Sequence, residues 1–322
     1  MLAAMLVCAG ACSDEDLPSQ GPATTAWSLG PALPRAVRSA GVTVFGQQVI
    51  VAGGVEASGH ASTEVDAYDL LGNAGWQGLA SLPVAWSDLN LATLGDTMYA
   101  LGGLDEAGAA HAEAYRFDGV EHQWLAAQAM PTATAAAGIA ASPGHIFLLG
   151  GRSSTAPLAS CLEYDLTTDT WNQLPDLPEP RAYPAAMRMT DGTLVVAGGF
   201  ASVDRSAPRG DVWLLPPAGS ASRTWTAHKP IPEVRGDCSY GVVLGSLACA
   251  GGADAAVASR AVDTYDPYLD VWTSAESMPV ERVQTQGAAA TGRLFIPGGA
   301  ATPDGAPTDT FYLYQPLDTA PR

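Results

Sequence analysis

Short apolar stretches, each closed by a turn rich in Gly, Pro, Asp or Ser, follow one another along almost the whole chain, and helical periodicity is nearly absent. In the first complete unit this pattern predicts strands over Gly41–Phe45, Gln47–Ala52, Glu64–Tyr68 and Gly75–Leu79. The second strand ends in Gly-Gly, a polar loop follows, and the last two strands are aromatic. The same order returns about every fifty residues, so the chain is an array of supersecondary units. Trp27, Trp76, Trp124, Trp171, Trp225 and Trp272 are each followed six residues later by an aliphatic residue and then by Pro34, Pro83, Pro131, Pro178, Pro232 and Pro279. Nineteen or twenty residues after each Pro comes a Gly-Gly pair, beginning at Gly53, Gly102, Gly150, Gly198, Gly251 and Gly298. An aromatic follows at Tyr68, Tyr115, Tyr164, Trp213, Tyr265 and Phe311, usually two places after Asp or Glu.

These columns have physical readings. Gly-Gly at the end of the second strand is expected where backbones approach closely, because a Cβ there would collide with a neighbouring unit. The Tyr and Trp columns fill the space between adjacent sheets and offer polar atoms to backbone groups in the wider outer part. The array opens with Trp27 before any Gly-Gly and closes at Phe311 with no Trp after it. The last unit therefore lacks its outermost strand, which residues near Thr24 to Leu29 can supply, removing the exposed edges.

Over residues 24 to 316 the four columns resemble the kelch repeat, whose marks are a hydrophobic run into Gly-Gly, then a Tyr, then a Trp. The resemblance implies an all-β, six-bladed kelch-type β-propeller with four strands per blade, its last blade closed by the N-terminal strand. Residues 1–12 then form a leader, 13–23 a polar tether and 317–322 a tail. One domain accounts for the length, and the 35 Gly and 24 Pro are turn chemistry spread over the units.

A formal net charge of -18, with 33 acidic residues against 15 basic, repels phosphate backbones and argues against nucleic-acid or anionic-lipid partners. The acids lie mostly in loops, where solubility and turn capping explain them. The segment Met1 to Gly10 is apolar and small, and Ala9-Gly10-Ala11-Cys12 is followed at once by Ser13-Asp14-Glu15-Asp16. It resembles the cleavage box of bacterial lipoproteins, which implies a lipidated Cys12 and a cell-envelope or secreted protein that meets a membrane only through its lipid anchor. The stretch lacks the positive start of an export signal, and an ordinary tail with a chance Cys is the alternative. Cys161, Cys238 and Cys249 remain. With Gly245-Ser246 as the hairpin turn, Val242 faces Cys249, Cys238 lies further along the sheet, and buried free thiols are expected rather than a disulfide. No CxxC or Cys/His cluster supports a metal, and no cofactor is expected.

Candidate chemistry lies in the loops. The segment after each Pro leads from the outermost strand of one blade to the innermost strand of the next and opens on one rim of the channel. The residue three after Pro is Val37, Trp86, Thr134, Arg181, Arg235 and Arg282 in turn, with Arg38 one place later in the first unit. In kelch proteins that bind acidic peptides, arginines at this position line the binding face. The resemblance therefore implies that Arg38, Arg181, Arg235 and Arg282, with Trp86 as a flat apolar surface, contact a protein, an acidic peptide or an anionic carbohydrate. The competing reading is structural: Glu179, Glu233, Asp237 and Glu281 are close in sequence and can pair with these arginines.

Enzymatic readings are weaker. His60, His111, His122, His145 and His228 repeat no ligand pattern of the kelch-type copper radical oxidases. The Ser-x-Asp-x-Gly-x-Thr-Trp box of six-bladed sialidases, a Gly-x-Ser-x-Gly elbow and a phosphate-cradling loop are all missing. The periplasmic sialic-acid mutarotases are also six-bladed, and Arg235 or Arg282 with Glu233 or Glu281 could supply a cation and a proton-moving carboxyl. The sequence thus points to a monomeric, non-catalytic binding or scaffolding propeller, with a sugar mutarotase as the alternative.

Overall fold

The computed structural model describes residues 25–317 except 73, 256 and 304. Six antiparallel four-stranded sheets form the blades of a propeller, numbered I to VI in chain order, with blades II to V spanning residues 90–127, 138–174, 185–228 and 239–274. Blade I comprises Gly41–Phe45, Gln48–Ala52, Val65–Asp69 and Trp76–Gly78 from the inside out, within a residue or two of the expected strands. Blade VI comprises Ala288–Ala290, Arg293–Pro297 and Phe311–Tyr314, and its outermost strand is Trp27–Leu29. The start of the propeller thus completes its end, with Trp27 opposite Tyr314 and Leu29 opposite Tyr312. No helix occurs among the described residues, and none is long and apolar enough to cross a membrane. Residues 1–24, including Cys8 and Cys12, lie outside the described residues.

Second strands are apolar on both faces because both faces are covered. Val49–Ala52, Val195–Ala197 and Leu247–Ala250 are wholly buried, each strand packed between the neighbouring sheets. Between blades I and II, for example, Ile50, Ala52 and Ala67 meet Leu91, Met98 and Trp124 in one cluster. Burying a side chain of this kind stabilises by roughly 1.5–3 kcal/mol, and the same layer recurs around the ring.

The Trp column has a single repeated role. Every indole Nε1–H donates to the carbonyl three residues before the Pro of the preceding unit: Trp76 to Pro31, Trp124 to Ala80, Trp171 to Gln128, Trp225 to Pro175 and Trp272 to Lys229, at 2.9–3.0 Å. Trp27 donates to the Glu276 carbonyl at 3.0 Å, so the closing joint repeats the five others. The Glu276 carboxylate adds two contacts to that joint, accepting from the Ala26 backbone at 2.8 Å and the Thr25 hydroxyl at 2.6 Å.

Gly-Gly has an equally regular role. The N–H of the second glycine donates to the carbonyl of the residue three after Pro in the next blade, as in Gly54 to Trp86, Gly151 to Arg181 and Gly252 to Arg282 at 2.7–2.8 Å, and Gly299 to Val37 across the closure at 2.8 Å. A Cβ on the first glycine would meet that same carbonyl, at 2.7 Å for Gly150 and 2.6 Å for Gly198. Both glycines are left-handed throughout, so sterics and φ together exclude other residues.

Two local expectations are corrected. In blade II a register shift between His111 and Ala114 displaces the aromatic column, so Phe117 rather than Tyr115 stacks on Trp124, with centroids 5.2 Å apart. In blade V the turn is at Leu244-Gly245, so Tyr240 rather than Val242 pairs with Cys249.

Candidate functional site

The residues five after each Pro, rather than three, surround the axis. Ser39, Asp88, Ala136, Tyr183, Asp237 and Gln284 all adopt left-handed φ between 49° and 58°, uncommon for residues with a side chain. Their backbones form a belt around the channel. Asp88 N–H donates to Ser39 O, Ala136 to Asp88, Tyr183 to Ala136, Asp237 to Tyr183, and Ser39 to Gln284, over 2.7–3.1 Å. The space left at the belt is about 30 Å³, room for a water or two.

Arg205, on the loop 201–209, closes this mouth. Its guanidinium carbon lies 3.9 Å from the centroid of the Tyr183 ring, its Nε–H donates to Asp237 Oδ2 at 2.9 Å, and Nη2 is 4.0 Å from Asp88 Oδ1. Tyr183 Oη–H donates to Asp88 Oδ2 at 2.8 Å. Burial works against the Arg205 charge, but Tyr183, Asp237 and Asp88 more than offset it and hold its pKa above the ordinary value. Burial, reinforced by the Asp88 charge and opposed by Arg205, pushes the Asp237 carboxyl up to about 6. Below the belt the channel is bridged as well. Tyr240 Oη accepts from Ile139 N–H at 2.6 Å, two blades away, and the Gln286 amide donates to Leu89 O at 3.0 Å. Beyond these bridges the innermost strands enclose a chamber of about 300 Å³ lined mainly by small and apolar side chains.

Four of the five expected contact residues sit elsewhere. Trp86, Arg181, Arg235 and Arg282 are at most 4% exposed, because the side chain three after Pro turns outward between sheets. Arg235 donates to Asp263 Oδ2 at 2.7 Å and to the Glu233 and Cys249 carbonyls. Arg181 stacks 4.4 Å over Trp213 and bonds Asp211 at 2.6 Å and Glu179 at 3.2 Å. Arg282 lies 5.4 Å over Tyr312, and Trp86 packs 5.6 Å from Tyr115. The expectation that these four face a ligand is therefore corrected: they prop one blade against the next. Of the Glu and Asp residues weighed as their partners, only Glu179 pairs with its arginine through a carboxylate, whereas Asp263 in a third strand and Asp211 just before one were missed because they are distant in sequence.

Arg38 does reach the mouth, its Nη1 donating to the Gln284 side chain at 2.9 Å. Arg152, which sequence reasoning passed over, joins it there: Nη1–H donates to Tyr183 Oη at 3.3 Å while Nε and Nη2 bond the Ser153 and Ser154 carbonyls. Arg152 directly follows Gly-Gly, which is the signal that could have found it. Among the described residues neither Arg38 nor Arg152 has a carboxylate partner. His60 lies in a polar loop and His111 near the start of the strand Ala110–Asp118. His60 bonds Glu106, and His111 sits between Asp105 and Glu113 at 3.1 and 3.2 Å. No group of His, Cys, Asp and Glu among the described residues has the arrangement of a metal site.

Residues 88–299 match the family described as the KLHDC2/KLHL20/DRC7 Kelch-repeats domain. The kelch-like protein terF of Aspergillus terreus (strain NIH 2624 / FGSC A1156) is 25% identical over 342 residues, covering 97% of this chain and 72% of that protein. Kelch-like protein 34 of Homo sapiens is 25% identical over 68% of the chain, and Kelch-like protein 36 of Rattus norvegicus 30% over 49%. The chain spans only 35% and 27% of those two proteins. The solved structure titled "Structure of YjhT" superposes with a TM-score of 0.74 over 90% of this chain and 97% of that one, at 15% identity, which establishes a shared fold alone. Six blades built on one glycine joint and one indole joint, with the family match running across well over half of them, make this chain a member of the kelch-repeat family of β-propellers.

Proposed function

We propose that the chain is a non-catalytic binding propeller that holds an acidic segment of a protein partner against the belt face. The observation that carries this reading is the pair Arg38 and Arg152, guanidinium groups at the mouth that lack carboxylate partners among the described residues, in a chain of net charge -18. Bound carboxylates would gain charge-assisted hydrogen bonds there. The bridges of Arg205, Tyr240 and Gln286 favour a ligand that rests on the mouth over one that threads the channel. The test is calorimetric titration with short peptides rich in Glu and Asp. Saturable binding should weaken about tenfold to a hundredfold in Arg38→Ala and Arg152→Ala, with thermal stability nearly unchanged. Equal binding by the variants, or none by the wild type, would refute it. A place at the bacterial cell envelope, with Cys12 as the lipidated residue, is part of the proposal and rests on the sequence from Met1 to Asp16. Mass determination of the mature N-terminus tests it.

A second reading, a mutarotase of acidic sugars, is favoured by one observation: the Asp237 carboxyl, bonded to the Arg205 guanidinium, is pushed up by burial to about 6, within the range that proton transfer requires. NMR measurement of anomer exchange decides. Turnover at substoichiometric protein that disappears in Asp237→Asn would establish it.

A further inference from the structure

The corrected register of blade V brings together two cysteines. Cys249 lies in the second strand, Ser246–Ala250, and Cys238 immediately precedes the first, Ser239–Val243. Tyr240 pairs with Cys249 and Ser239 with Ala250, so Cys238 is the diagonal neighbour of Cys249 on one face of the ladder. Their sulfurs are 2.6 Å apart, well inside the roughly 3.5–4.0 Å at which even carbon atoms rest in contact. Both residues are buried, yet they differ in access: Cys238 lines the small cavity at the belt, whereas Cys249 is sealed beneath the sheet. Arg235 borders the pair, its Nη2 donating to the Cys249 carbonyl at 3.4 Å. Cys161, in blade III, has no sulfur partner among the described residues and donates to the Ala159 carbonyl.

We propose that Cys238 and Cys249 are a two-electron redox site that closes to an intrablade disulfide. Protein disulfides or small disulfides of the glutathione type are the oxidants. When blade V opens briefly at the belt, the Cys238 thiolate attacks one oxidant sulfur, and the oxidant's S–S bond breaks to release one thiolate. Cys249, losing its proton to that thiolate, attacks Cys238 in the mixed disulfide and expels the second. Two thiols and one disulfide thus become one protein disulfide and two small thiols, with both electrons and both protons carried by the reduced oxidant. Burial of Cys249 makes closure depend on brief opening of the strand pair, or on oxidation while blade V is forming.

The bond would staple the innermost strand of blade V to its neighbour at the level of the belt. Residue 237, next to Cys238, is the belt aspartate that holds Arg205, so the staple fixes the edge of the mouth covalently. It closes a short loop between residues 238 and 249, and its loss should lower the melting temperature by about 5 °C.

The test uses the full chain after incubation with oxidised glutathione. Trypsin cuts after Arg235 and Arg260, so both cysteines fall in one peptide, residues 236–260. The protein is unfolded in iodoacetamide, digested, and weighed before and after reduction. The expected peptide is unalkylated and lighter than the dithiol by two hydrogens, and becomes doubly alkylated after reduction. The peptide carrying Cys161 should be alkylated without reduction. The oxidised protein should also melt about 5 °C above the reduced one, a difference that vanishes in Cys249→Ala. Double alkylation of peptide 236–260 without reduction, or separate glutathione adducts on its cysteines, would overturn the proposal.

Discussion

Replacing Asp263 with Ala should destabilise this propeller far more than removing Arg38 or Arg152 at its mouth. Asp263 is the carboxylate partner of Arg235, at 2.7 Å, with 3% of its side chain exposed against none for Arg235. Its second oxygen accepts from the Ser274 hydroxyl at 2.7 Å. Arg235 Nε already lacks a partner, so the guanidinium depends on Asp263 and two carbonyls. Removing the carboxylate leaves a buried charge uncompensated, which costs about 3–5 kcal/mol. The unfolding entropy of a domain of this length is on the order of 0.6 kcal/mol per kelvin, so the melting temperature should fall by roughly 5–8 °C. Calorimetry on Asp263→Leu, Arg235→Met and the double change completes the cycle, with Asp263→Ala measured beside them. Each single change should be costly and the double change close to neutral, because the apolar pair removes both desolvated charges. A loss below about 1 kcal/mol in either single variant would refute the claim that Arg235 is a strut, and would return it to the candidates for ligand contact.

Deleting residues 25–32 should destabilise the whole domain, because it removes the outer strand of blade VI, the Trp27 indole bond and the Glu276 clamp together, whereas trimming Thr319–Arg322 should change little; urea unfolding of the two truncations compares them. Gly198→Ala should cost clearly more than Gly59→Ala: both are left-handed, at φ 65° and 84°, but only Gly198 would drive a Cβ to 2.6 Å from a neighbouring carbonyl. The raised Asp237 carboxyl gives a pH signature of known sign. Its folded pKa of about 6 exceeds the unfolded value, so its contribution is full below pH ~4 and lost as pH rises through 6. Wild-type stability relative to Asp237→Asn should fall by up to about 2–3 kcal/mol between pH 4 and 6.5, and a flat or rising difference would contradict the assigned burial.

Much of this architecture was written in spacing, because a repeated joint leaves a repeated residue. The Trp-to-Pro interval survives in every unit since the indole must reach a carbonyl that stands three residues before the preceding Pro. Gly-Gly survives since the next blade's backbone occupies the space of a Cβ. The closing strand followed from which column came first. Where a residue's role was not repeated, the pattern gave no warning: the slipped register of blade II needed the shift at His111, and the meeting of Cys238 with Cys249 depended on a turn one residue earlier than the Gly-Ser pair suggested.

The mouth itself shows why position in a repeat does not by itself identify a site. A single residue separates Arg235 from Asp237, yet the first is locked between sheets and the second borders the axis, where its left-handed φ of 56° turns the chain at the belt. The six belt residues share a backbone conformation but include five different side-chain types. Their hydrogen bonds run through the main chain, so the joint constrains geometry and leaves chemistry free to vary from blade to blade. That freedom is what a binding face requires, and it is also why no column could announce it. Specificity in this protein is therefore expected to reside in Asp88, Tyr183, Asp237 and Gln284 with the guanidinium groups that reach them, Arg38, Arg152 and Arg205. The arginines of the conserved-looking column hold the frame that presents them. Exchanging Tyr183 for Phe separates the two roles: the hydroxyl that joins Asp88 to Arg152 is lost while the ring under Arg205 remains. Binding of acidic peptides should change severalfold while the melting temperature moves by no more than about 2–5 °C, the equivalent of the roughly 1–3 kcal/mol of an unpaired buried group. A collapse of the fold instead would place Tyr183 among the struts.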